Sequence, residues 1–181
     1  MPSDLDPADL DPNPFRLPWE ARLVCDITAA LLDGDGNARV DDAVELLTSA
    51  DHIHLATMRE PWATLIEQGQ KRVESRWGKV KCAPHGRVGA GDVVAWKRTG
   101  GAVYGVSTVT LSTTDYLGSD ADAAKFLAGC HEAVKLPNNP TLVVGKRWLT
   151  LVYLGPFIPI KPITCGKRDR AGWNILQDRK P

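Results

Sequence analysis

Long apolar runs are missing from this 181-residue chain: stretches such as AALL (29 to 32) and TLVYL (150 to 154) fall far short of the roughly 18 residues that cross a membrane as a helix. Cysteine is scarce, and the four present (Cys25, Cys82, Cys130, Cys165) form no CxxC pair. That spacing argues against a disulfide framework and for reduced thiols used in packing. The opening MPSDLDPADLDPNPF has neither the positive start nor the apolar middle of a secretory signal, so a cytoplasmic, membrane-free location is expected. No internal repeat and no low-complexity tract interrupts the chain.

Net charge is also absent, with 22 basic and 22 acidic residues, but the balance is made of two opposite parts. Residues 1 to 60 carry four Lys+Arg against thirteen Asp+Glu, which leaves eighteen basic and nine acidic residues in 61 to 181. A body so biased suits a polyanionic ligand, and the acidic segment can dock against it or shield it; two ordinary solvated surfaces give the same count.

Residues 1 to 18, with five prolines and four aspartates, read as a flexible acidic lead-in. A helical extension follows over 19 to 50: Leu23, Ile27, Ala30 and Leu31 recur at helical spacing, and a second short helix is expected near Asp41 to Thr48. Between them Asp33, Asp35, Asn37 and Asp41 mimic calcium-loop positions. Ala38 and Val44 stand where such a loop needs its glycine and its bidentate glutamate, so the segment reads as a turn.

From 51 to 181 the pattern becomes strand-rich. Strands are predicted at 52 to 58, 73 to 77, 92 to 98, 102 to 111, TLVV (141 to 144), 147 to 155, FIPIKPI (157 to 163) and GWNIL (172 to 176), the proline-containing one confined to an edge. Helices are predicted at 60 to 68 and 119 to 134, the second capped by Ser119. The fold class is α+β: a small, partly closed mixed β-barrel decorated by helices.

Cys82-Ala-Pro-His85 has the gap of a zinc half-site, and Cys130-His131 is the available complement. Adjacent residues on a helix point in different directions, so no metal or other cofactor is expected. His85, His131 and the pair His52 and His54 are read as structural or surface residues.

The densest chemistry lies in GQKRVESR, Gly69 to Arg76. Gly69 supplies the left-handed residue that ends a helix, and residues two apart on the following strand put Glu74 and Arg76 on one face. Lys71, in the turn, can swing toward them. Such a trio can hold a nucleotide, with arginine and lysine on phosphate or base and glutamate accepting from an amino group. A lysine in a partly closed pocket can also lose enough proton affinity to act as a base, and an ion-pair network is the third use of the same residues. Trp62, Trp77 and Trp96 have faces on which bases stack; two of the three are expected in the core, and Trp62 is assigned to the site. Lys167, Arg168 and Arg170 before Trp173 form a basic hairpin tip suited to phosphate.

Glu60-Pro61-Trp62 through the Gly69-x-Lys71-x-x-Glu74-x-Arg76 core resembles the signature of ASCH domains, a branch of the PUA-like β-barrel superfamily. Gly91 to Val94 and Val103 to Val109 resemble the family's next two strands, so that the resemblance covers about residues 52 to 176. It implies RNA or modified-nucleoside binding. Some members are hydrolases, either ribonucleases or amidohydrolases of acetylated cytidine, and in the latter the lysine matching Lys71 is catalytic. That group has threonine at the position of Glu74 and a catalytic glutamate where Gly105 is the best match here, which argues against the acetylcytidine reaction. The reading is therefore binding of RNA, another single-stranded nucleic acid or a modified nucleoside at Lys71, Glu74 and Arg76. The alternatives are a hydrolase using Lys71 and Glu74, and a protein-interaction module working through the N-terminal helices.

Overall fold

The computed structural model describes residues 17–33, 40–167 and 170–179. The acidic lead-in up to residue 16, most of the aspartate-rich turn and Arg168 lie outside the described residues. Along the chain run α1 (Trp19–Leu32), α2 (Val40–Ser49), β1 (His52–Met58), α3 (Trp62–Glu67), β2 (Val73–Gly78), β3 (Val93–Arg98), β4 (Val103–Tyr116) and α4 (Asp120–Val134). After a 3-10 turn at Pro140–Val143 come β5 (Trp148–Leu154), β6 (Ile158–Ile163) and β7 (Trp173–Asp178).

The strands form one curled sheet in the order β2-β5-β4-β3-β1-β7, with β6 hydrogen-bonded to β4 beside this path. Among the described strand pairs only β1 and β3 run parallel. The fourteen-residue β4 makes the curl: its first half pairs with β3 and β6 and its second half with β5, with a break in register between Val109 and Leu111. A register break of this kind bends a strand and raises its twist, and the sheet closes into a half-barrel.

Three apolar clusters hold it. One side of the sheet takes Leu23, Ile27 and Leu31 of α1 and Leu47 of α2 against Ile53, Leu55, Val93 and Val106. Ala56, Met58, Val94, Trp96, Val152 and Trp173 fill the inside with Ala63 and Ile66 of α3. The third cluster seats Ala123, Leu127 and Val134 of α4 on Leu149 and Leu151 of β5. β1 therefore has both faces covered, and its alternation separates two cores rather than core from solvent.

The first three residues of TLVV, expected as a strand, lie instead in the 3-10 turn: Pro140 opens it, and the Asn139 side chain accepts from the Thr141 N–H at 3.0 Å. Pro140 lacks the N–H that a strand ladder uses, and the asparagine cap favours a turn. The basic hairpin expected before Trp173 is not formed among the described residues: β6 pairs with β4 and β7 with β1, and the two are not paired with each other.

Candidate nucleotide site

Gly69 stops α3 with φ +69, and the chain turns so that Lys71 enters the body at 3% exposure. At the other side α4 ends on Lys135, itself left-handed at φ 57. The last carbonyls of a helix have no partner within it and carry the negative end of its dipole. Here they are met by side chains: Lys71 Nζ donates to Val134 O, and Trp62 Nε1 donates to Lys135 O at 2.7 Å. The same ammonium donates to Val73 O at 2.8 Å and stands 3.3 Å from Glu74 Oε2. Two of the three ammonium protons thus go to backbone carbonyls, and the Glu74 carboxylate lies within ion-pair distance.

Glu74, 4% exposed, stands between Lys71 and Arg76, whose Nε lies 2.8 Å from Glu74 Oε1. That approach is a charge contact without the alignment of a hydrogen bond, since Nε has no hydrogen-bonded acceptor. The Arg76 guanidinium is held by Gly172 O at 3.1 Å and Thr57 O at 3.3 Å, and it lies 5.1 Å over the Trp173 ring. Burial pushes the Lys71 ammonium below its ordinary value of 10.5, against the opposing pull of Glu74.

The trio forms the floor of a cleft of about 800 Å³ between the strand ends and the end of α4. Its lining contains seven basic side chains (Arg59, Lys71, Arg76, Lys97, Lys146, Lys167 and Arg170) and one carboxylate, Glu74, among the described residues. Trp62 and Trp77 line it too, whereas Trp96 is wholly buried with its N–H on Ser107 Oγ. The motif thus brings together Lys71, Glu74, Arg76 and Trp62, and the connection before β7 adds Lys167 and Arg170. Arg59, Lys97 and Lys146 join them from separate segments, and no motif in the sequence marks these three.

A second set of polar residues underlies Arg76. Trp173 Nε1 donates to His54 Nδ1 at 3.2 Å, and His54 Nε2 lies 3.1 Å from Asp92 Oδ2. An indole N–H can only donate, so His54 Nδ1 accepts and Nε2 carries the proton that reaches Asp92. His52 bonds the other Asp92 oxygen at 3.2 Å. His52, His54 and Asp92 are the one group of three metal-capable donors among the described residues, but the proton on His54 Nε2 occupies the position a metal would need. Cys82, His85 and Cys130 form no such group there.

Gly105, the position matched to a catalytic glutamate, has no room for any side chain: a Cβ would stand 2.1 Å from the Phe157 ring and 2.8 Å from Ile158 O.

No family model and no curated protein matches the chain. Among solved structures it is similar to ASCH from Zymomonas mobilis, with 14% identity and a TM-score of 0.53 over 70% of this chain and 89% of that one. A serine-to-alanine variant of that protein gives 14% identity and 0.52 over 72% and 92%. A tyrosine-to-phenylalanine variant gives 13% and 0.50 over 71% and 92%. Likeness at this identity concerns the path of the chain, and the matched part is about the length of the half-barrel.

Proposed function

We propose that this chain, which has the ASCH fold, binds a nucleotide or single-stranded nucleic acid, RNA foremost, in the basic cleft above Lys71, Glu74 and Arg76. The observation that carries the reading is the lining: seven cations facing one carboxylate, with tryptophan in the wall. Clefts lined by one sign of charge concentrate ligands of the other sign, and stacked rings with phosphate-binding cations are the usual means of holding a single strand. Arg76, partly exposed above Trp173, takes a phosphate or base edge, and Trp62 offers a stacking face. Glu74 accepts from a base amino group where the ligand reaches it. Arg59, Lys97, Lys146, Lys167 and Arg170 take phosphates around the rim. Lys71, bonded to Val73 O and Val134 O and paired with Glu74, supports the ligand by holding Glu74 and the end of α4 in place.

One observation favours hydrolysis as a second reading, namely the lowered proton affinity of Lys71, the property a general base needs. To act as a base, the ammonium must first lose one of its three protons, which leaves one of the oxygens around it, Val73 O, Val134 O or Glu74 Oε2, without a donor. The acetylcytidine route lacks its second carboxylate, because Phe157 fills the space beside Gly105.

The binding test is a tryptophan-fluorescence titration with single-stranded RNA across a salt series. Affinity is expected to fall steeply with salt. Lys146→Ala and Arg170→Ala are each expected to weaken binding to all sequences alike and to reduce the salt slope by about one. Unchanged affinity and slope in both folded variants would sink the assignment, while cleavage products from the same mixtures would establish the hydrolase.

A further inference from the structure

A second cavity, of about 220 Å³, lies directly beyond the main cleft and shares Arg76, Trp77 and Gly172 with it. Trp148 and His85 form its far wall, 5.0 Å apart and edge to face. Tyr116, paired with Trp148 across β4 and β5, continues that wall outward at 4.8 Å between rings. The Lys81 ammonium sits 5.7 Å from the Trp148 ring centre. Tyr116 is 63% exposed, and Trp148 and His85 are partly exposed, so this aromatic surface is open to solvent on the Tyr116 side. An exposed aromatic patch beside a charged cleft marks a contact surface, and the loop that frames it carries Lys79 and Lys81, both exposed.

Resting on the reading of the main cleft as a nucleotide site, we propose that the ligand is a single-stranded polynucleotide rather than a free nucleoside. The strand passes over Arg76 and Trp77, and a neighbouring base stacks against Tyr116 and Trp148. Arg76, shared by both cavities, is placed to meet the phosphate that joins the two nucleotides, and Lys79 and Lys81 suit the phosphate that follows. A surface of aromatic rings flanked by lysines matches the alternation of flat bases and charged phosphates along a strand.

The test is calorimetric titration of the full chain at fixed salt with uridine monophosphate, the corresponding dinucleotide and the tetranucleotide. The tetranucleotide is expected to bind at least about tenfold more tightly than the mononucleotide, the order of one stacked base. Tyr116→Ala, a surface change whose fold is checked by circular dichroism, is expected to remove most of that gain, and Lys81→Ala part of it. Equal affinity at every length, or a gain that both variants leave intact, overturns this inference and leaves the main cleft standing. Absence of binding at every length overturns both.

Discussion

At the scale of single residues, Lys71 shows how a motif can be legible while its geometry is not. Its type and place in GQKRVESR mark it out, but only the folded chain brings Val134 O, more than sixty positions away, onto its ammonium. Substitution is therefore a stability matter as well as a binding one. Lys71→Met is expected to cost about 3–5 kcal/mol in urea denaturation, because Glu74 and two carbonyls lose a buried partner. The double variant with Glu74→Leu should cost clearly less than the sum of the single ones; additive costs would mean that the two residues are not coupled. Gly105 makes the complementary case. With Phe157 and Ile158 O so close to where a Cβ would stand, Gly105→Ala is expected to destabilise by about 1–3 kcal/mol through overpacking, read as a drop in Tm. A neutral result would show that the Phe157 ring moves aside easily.

Among elements, β1 is legible in its alternation over His52–Met58, yet alternation says nothing of what covers each face. Its polar member His54 is fully buried because Trp173 and Asp92 satisfy both ring nitrogens. Burial pushes the Asp92 carboxyl up, but hydrogen bonds from His54, the Gly89 N–H and His52 outweigh it and hold the group below its ordinary value of 3.8. A carboxyl depressed by folding contributes stability that is fully present above its unfolded value and is lost as pH falls through the folded one. Asp92→Asn, which turns an acceptor oxygen into a donor facing other donors, is expected to cost about 1–3 kcal/mol at neutral pH. It should also flatten the fall of stability below about pH 4, measured by denaturant melts at stepped pH. An acid limb as steep as in the unaltered protein would assign that limb to other carboxylates. The 3-10 turn at Pro140–Val143 failed as a predicted strand for a related reason: a short apolar run reads alike in either form until its hydrogen-bond partners are known.

Over the whole molecule, the N-terminal helices are part of the barrel's own packing. Leu23, Ile27, Leu31 and Leu47 lie in one cluster with Ile53, Leu55 and Val93, so removal of residues 1 to 50 would bare that side of the sheet. Such a truncation is expected to lower Tm sharply or to aggregate, because a large apolar face is returned to water. A truncated chain that melts at the same temperature would show instead that the half-barrel folds alone and would return these helices to the role of a separate interaction surface.

Most of the elements, the α+β class and the residues at the centre of the cleft are legible in the chain. Those follow from local quantities: side-chain period, glycine at a left-handed stop, a capping serine and the two-residue spacing of a strand. Folding alone brings Lys71 onto the end of α4, sets His54 and Asp92 beside Trp173 under Arg76, and gathers Arg59, Lys97 and Lys146 with Lys167 and Arg170 around one basin. These are meetings between segments far apart in the chain. They depend on how β4 bends between its two sets of partners, and no local pattern carries that information.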